Sequence, residues 1–245
     1  SEPVTDEKLE RILKQVQSQL PAENGTWAVF ISDLVNGTEG SLNDQKMQAA
    51  SLIKLYIMGA VYENYDQITG QYGRDSVDSN LYSMITVSDN DAANTLTTYL
   101  GGGDSAAGMQ AVNSFCQAHG YDQTHMGRML LASNENDDNY TSVGDCGHLL
   151  QEIYKQDTSS YTHAADMFNL LKAQTRCNKI PAQLPKGVKT ANKTAELDNV
   201  ENDAGIIYDS KNDVVIVFMS QNLSSAGSAQ NTIATLSRTI YDYYN

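Results

Sequence analysis

Apolar positions recur every three or four residues near the start of the chain. Leu9, Ile12, Leu13, Val16 and Leu20 share one face of a helix over 5–20, with Asp6 and Glu7 in its first turn, where free N–H groups favour carboxylates. Trp27-Ala28-Val29-Phe30-Ile31 is a continuous apolar run of strand length, and Asn36-Gly37 marks a turn into a second short strand. Near residue 48 the pattern changes. From 49 to 62 the chain is apolar almost all the way round, which on a helix means a place at the centre of a domain. Segments 81–100, 107–118, 143–153 and 167–171 read as helices, parted by Gly101-Gly102-Gly103 and by an Asn/Asp-rich loop at 134–139. After Pro185 strand texture returns at 189–197, 204–208 and 214–220, with Ser210-Lys211-Asn212 as a hairpin loop. Ile233, Leu236 and Ile240 then line one face of a closing helix.

Strands at both ends with helices between them predict an α+β fold: an antiparallel sheet built from both termini and flanked by helices, plus an inserted all-helical lobe. The boundaries are 1–45 and 173–245 for the sheet lobe and 46–172 for the helical lobe, and no internal repeat is visible. Length of 245 residues is enough for one large core. Lys plus Arg total 16 against 30 Asp plus Glu, and the net charge of -14 argues against nucleic acid or an anionic membrane surface as partner. No apolar run approaches the roughly 20 residues of a membrane span. The start at Ser1-Glu2-Pro3 is not a signal sequence, so a mature or trimmed soluble form is expected.

Three cysteines do not make a disulfide framework, although one bridge between two of them stays open. Cys116 with His119 and Cys146 with His148 have spacings that a metal site could use; the preferred reading is buried core cysteines and histidines at helix ends, with no metal and no cofactor.

The chemistry lies in three short motifs in order: Ser51-Leu52-Ile53-Lys54, Ser88-Asp89-Asn90 and Lys193-Thr194-Ala195. Ser-x-x-Lys puts a hydroxyl and an amine one turn apart on a helix, so that the amine can take the hydroxyl's proton. Ser51 at the start of the buried helix has free N–H groups beside it, and its own N–H suits an oxyanion hole. Lys54 lies among Leu52, Ile53, Leu55 and Tyr56, where desolvation should lower its pKa. Taken singly, each motif also fits an ordinary cap, a snorkelling lysine or a polar helix connection.

The ordered triple, with Gly where Ala195 stands, is the signature of class A β-lactamases and penicillin-binding proteins. Together with Ala49-Ala50-Ser51, Met84-Ile85-Thr86-Val87, Asp91-Ala92-Ala93-Asn94, Leu100-Gly101-Gly102 and Asn202-Asp203-Ala204-Gly205-Ile206-Ile207, it makes the chain resemble class A serine β-lactamases of the penicillin-recognising serine hydrolases over nearly its whole length. The resemblance implies an active site between the lobes and an acyl-enzyme on Ser51. It also implies that Ser88 passes a proton to the leaving nitrogen, that Asn90 donates to the substrate amide, and that Lys193 and Thr194 receive a substrate carboxylate. The implied oxyanion hole is the N–H pair of Ser51 and Glu196. Two lysines near one site should depress Lys54 further. The implied partner is a small β-lactam or a cell-wall peptide, the implied location the exterior of a bacterial cell, and a monomer is expected.

Four departures stand out. Ala195 adds a methyl group against which a substrate must lie. Glu196 sets a carboxylate beside the pocket for a carboxylate. The class A loop carries Arg-x-Glu-x-x-Leu-Asn, whose Glu activates the deacylating water; here the stretch is Arg128-Met129-Leu130-Leu131-Ala132-Ser133, with Glu135 as the nearest carboxylate. Finally, Ser51 and Ser88 are closer in sequence than in the family, predicting a more open cleft rim. The leading reading is a β-lactam hydrolase with slow deacylation. A D-alanyl-D-alanine carboxypeptidase-like peptidase, a penicillin-binding sensor and a degenerate copy remain as alternatives.

Overall fold

The computed structural model describes residues 4–245. Ser1-Glu2-Pro3, read above as no signal sequence, lie outside the described residues. Helix α1 (Glu7–Gln19) buries Leu9, Ile12 and Val16, and Asp6 caps it by accepting from the Leu9 N–H at 2.8 Å. Strands β1 (Thr26–Asp33) and β2 (Thr38–Leu42) form the first hairpin, with Gly37 at φ 73° in the turn. Three more strands follow much later: β5 (Lys189–Leu197), β6 (Val200–Tyr208) and β7 (Val214–Gln221). They join the hairpin in one antiparallel sheet of order β2-β1-β7-β6-β5, sewn by the β1 and β7 pairing.

Period-two alternation decides what each sheet face covers. Trp27, Val29, Ile31, Ile207, Val214, Ile216 and Phe218 face α1 and the closing helix α9 (Ala226–Tyr244). Ala28, Phe30, Ile206, Val215, Val217 and Met219 belong to the larger cluster shared with the central helices. Helix α7 (Val143–Lys155) packs on that face at close range, because a Cβ at Gly147 would lie 2.3 Å from the Phe30 ring. Helix α8 (Ala164–Lys172) packs against β5.

The central helix α2 (Ile53–Glu63) is buried from Ile53 to Tyr62. Around it stand α3 (Tyr65–Tyr72), α4 (Arg74–Thr86), α5 (Asn90–Leu100) and α6 (Ser105–Ala118). The apolar run over 81–100 is thus two helices, broken where Ser88 takes the left-handed φ of 58°. A short ladder of β3 (Met47–Gln48) and β4 (Tyr140–Thr141), not foreseen from sequence, joins the segment before Ser51 to the end of the loop over 128–139. Among the described residues no helix is long and apolar enough to cross a membrane.

The cysteines are all unbridged: Cys116 and Cys146 are buried and Cys177 is exposed, which removes the single bridge left open above. His119 does sit at a helix end, but His148, expected at one too, lies inside α7, where its Nε2 is 2.6 Å from Glu39 Oε2. Among the described residues no group of three or more His, Cys, Asp or Glu side chains is placed to hold a metal ion.

Candidate active site

The backbone entering Ser51 is anchored from two sides. The Ala49 N–H donates to the Asn139 carbonyl at 2.9 Å, while Asn202 Nδ2 on β6 donates to the carbonyls of Gln48 (3.0 Å) and Ala49 (3.1 Å). These bonds hold Ala50 at φ 47°, a left-handed conformation costing an L residue about 1–2 kcal/mol. Ser51 follows in the 3-10 turn Ala50–Leu52, a tighter start than the regular helix expected, and leads directly into α2.

Lys54 is fully buried, and its Nζ is surrounded by oxygens. It lies 3.1 Å from Ser51 Oγ and 2.9 Å from Ser88 Oγ, and donates to the Ser88 carbonyl at 2.7 Å and to Asn90 Oδ1 at 2.8 Å. Ser88 and Asn90 reach this point because the helix break turns the chain inward, and Asp89 restarts the helix by accepting from the Ala92 N–H at 2.8 Å. From β5, Lys193 Nζ donates to Ser88 Oγ at 2.9 Å and to the Thr194 carbonyl at 2.5 Å. Ser51, Lys54, Ser88, Asn90 and Lys193 thus form one hydrogen-bonded cluster drawn from three separate segments. Thr194 adjoins it, buried. Ala195 is buried within the apolar cluster that contains α2, so its methyl group meets core neighbours.

Burial pushes the Lys54 amine down to about 7, with repulsion from Arg176 adding to the effect and Asp89 opposing it. Lys193 is held well below the ordinary lysine value, again chiefly by burial and then by Lys54, Lys179 and Arg176. The repulsion expected between the two lysines contributes to the lowering of Lys193, and Arg176 contributes to the lowering of both amines.

Arg176 carried no signal in the sequence. Its guanidinium donates to the Val87 carbonyl at 3.0 Å and pairs with Glu196 Oε1 at 3.2 Å, bridging the segment before Ser88 to β5. The Glu196 carboxylate is exposed and already engaged by this cation.

The loop over 128–139 is closed by Arg128 and Asp138 at 2.7 Å, both largely buried, and by Asn139 Oδ1, which accepts from the N–H groups of Gly127 and Arg128. Asn94 on α5 clamps Leu130 through both backbone groups, accepting from its N–H at 2.9 Å and donating to its carbonyl at 3.0 Å. Leu130 is buried, Leu131 beside it is exposed at φ 69°, and Glu135 is exposed, with its N–H bonded to Ser133 Oγ. No structural contact brings Glu135 to the cluster. A hollow of about 560 Å³ beside His119 and His148 is lined by no lysine and so offers no such pairing of hydroxyl and buried amine.

The solved structure of PBP-A is similar at 22% identity and TM-score 0.84, covering 98% of this chain and 97% of that one. A substituted PBP-A, solved as an acyl-enzyme complex with penicillin G, matches at 22% identity and TM-score 0.83 over 96% of each chain. An ancestral class A β-lactamase matches at 19% identity and TM-score 0.81, covering 94% of this chain and 99% of that one. No curated protein sequence matches the chain. The model of the β-lactamase enzyme family matches residues 8–74 and 71–244, and the chain belongs to that family.

Proposed function

We propose that this protein is a serine hydrolase that forms an acyl-enzyme on Ser51 from a β-lactam or a related cell-wall amide and releases the acyl group slowly. The observation that carries this reading is the surroundings of Lys54 Nζ. A neutral amine has two N–H donors, and the Ser88 carbonyl and Asn90 Oδ1, which can only accept, take both at the shortest distances. The lone pair is then left for the Ser51 hydroxyl 3.1 Å away. With a pKa near 7, the amine is neutral often enough to serve as base and basic enough to accept the proton.

In the proposed sequence Ser51 Oγ bonds to the carbonyl carbon while its proton passes to Lys54 Nζ. The N–H groups of Ser51 and Glu196 stabilise the oxyanion. As the carbon–nitrogen bond breaks, Ser88 Oγ gives its proton to the leaving nitrogen and is resupplied by Lys54 or Lys193, both 2.9 Å away. A substrate carboxylate near Lys193, Thr194 and Arg176 favours the protonated form of Lys193. Asn90 is left to orient the substrate amide. This scheme divides the molecule into lobes at 1–45 with 173–245 and at 46–172, with the cluster on their seam, and suits a monomer outside the bacterial cytoplasm.

Water must then cleave the ester, and the clamped position in the loop holds Leu130, which cannot take a proton. That favours a long-lived acyl-enzyme over rapid hydrolysis, and a penicillin-binding role as the second reading. A chromogenic cephalosporin time course with intact-mass measurement tests both: a stoichiometric burst with a persistent adduct is expected. Burst-free rapid turnover rejects slow deacylation, and neither adduct nor turnover rejects the acyl-transfer reading.

A further inference from the structure

The peptide unit between Ala195 and Glu196 is bonded from behind by a side chain that the acyl-transfer scheme does not use. Lys179, fully buried, donates from Nζ to Glu201 Oε2 on β6 at 2.7 Å and to the Ala195 carbonyl at 3.3 Å. The other Glu201 oxygen accepts from Gln230 Nε2 on α9 at 2.8 Å. The backbone beside Lys179 is pinned as well, since the Ile180 N–H donates to Asp203 Oδ2 at 2.9 Å and Asp203 also accepts from Asn192 Nδ2. A buried ion pair is commonly no more stabilising than apolar side chains of similar size, so stability alone does not explain this one.

Its position relative to β5 does. No peptide bond among the described residues is cis, and in a planar trans unit the carbonyl and the N–H point in opposite directions. The Ala195 carbonyl is engaged by Lys179, which is seated on Glu201 of the neighbouring strand β6. The Glu196 N–H consequently points away, towards the free edge of the sheet, because β5 is its outermost strand. That edge packs against the turn carrying Ser51. An ammonium on the carbonyl oxygen also draws electron density through the amide, which strengthens the N–H as a donor.

We propose that Lys179, seated on Glu201, is a positioning residue for the oxyanion hole: it aims and polarises the 195–196 peptide so that the Glu196 N–H meets the negative charge developing on the substrate. The inference rests on the acyl-transfer reading for its catalytic consequence, but not for its effect on the peptide itself.

The test compares wild type with the double variant Lys179→Met/Glu201→Met, which removes both charges together and leaves neither buried alone. In the free protein the Glu196 amide nitrogen resonance should move upfield, while resonances of α5 stay in place. In the acyl-enzyme, the infrared band of a carbon-13-labelled ester carbonyl should move to higher frequency as its hydrogen bond weakens. Acylation should slow by up to about 10²-fold, the lower end of the cost of losing an oxyanion donor. Lys179→Arg, which keeps charge and donors, should restore the band and most of the rate. If the double variant does not fold, Glu201→Gln carries the same comparison, since it keeps an acceptor for Nζ but withdraws the counter-charge; smaller shifts in the same directions are expected. A folded variant with the wild-type amide resonance and carbonyl band overturns the proposal. A wild type that accepts no acyl group refutes the acyl-transfer reading, and the amide resonance of the free protein then decides separately whether Lys179 acts on the peptide.

Discussion

Ser51 and the loop over 128–139 are tied to each other through the Ala49 N–H and the Asn139 carbonyl, yet they are equipped very differently. Around Ser51 two buried amines, a second hydroxyl and an asparagine amide make a continuous hydrogen-bonded set. In the loop, a closing ion pair and the Asn94 clamp hold the backbone just as firmly, but the side chain held there is a leucine. Both regions are closely hydrogen-bonded, but the buried amines and the hydroxyls facing them belong to one. In the proposed scheme Lys54 serves as the base for making the ester, whereas the clamped loop position offers no base for breaking it.

The largest effect should come from removing the nucleophile. Ser51→Ala is expected to abolish the mass adduct altogether, and peptide mapping of wild type should find the label on Ser51. A label on Ser88 would move the nucleophile to the other hydroxyl of the cluster.

Next comes the loop. Leu130→Glu places a carboxylate where Asn94 fixes the backbone, and should speed the slow phase of turnover by about 10²- to 10⁴-fold, the usual range for a general base, with little change in acylation. Because the position is buried, a loss of thermal stability should accompany the gain. Single-turnover kinetics separates the two steps. If deacylation does not change, backbone position alone does not bring the side chain to the ester.

Lys54→Arg keeps the charge but cannot give up its proton, and should slow acylation by about 10²-fold or more. In wild type the acylation rate should rise with pH through about 7 as the amine becomes neutral. Stability has its own sign. The folded chain releases the Lys54 proton near 7, whereas the unfolded chain keeps it to about 10.4, so this residue's contribution is fully present above that value and is lost as pH falls through 7. Arg176→Ala removes a positive neighbour and should move the acylation profile to higher pH, with a smaller rate effect; an unmoved profile would mean that burial alone sets the amine.

The same contrast explains what the sequence made legible. The strand at 214–220 was readable as a short apolar run buried on both faces, the closing helix because its apolar residues recur on one face, and Ser51 with Lys54 because their relation is local, one turn apart. The left-handed backbone at Ser88 was not, since Ser88-Asp89-Asn90 fits a polar helix connection without showing which conformation its residues take. Helix α3 escaped because its buried face reduces to Ile68. Arg176 with Glu196, and Lys179 with Glu201, meet across some 20 residues of chain between β5, β6 and the segment after α8, so no spacing rule could pair them.

The smallest expected effect is the control that keeps the comparison between the two regions sharp. Glu135 is the carboxylate nearest in sequence to Leu130 and the one that the sequence suggested as a substitute base. Its side chain is exposed and makes no hydrogen bond among the described residues, while its backbone N–H donates to Ser133 Oγ. Glu135→Gln removes the charge with almost no change of shape. Burst amplitude, acylation rate and the slow steady rate should all stay within about twofold of wild type, as for a surface substitution away from any packed or paired feature. A fall of 10²-fold or more in the slow rate alone would be the signature of a lost general base. It would mean that the loop swings Glu135 over the ester once the acyl group is in place, and the division of labour between the two regions would have to be redrawn around that movement.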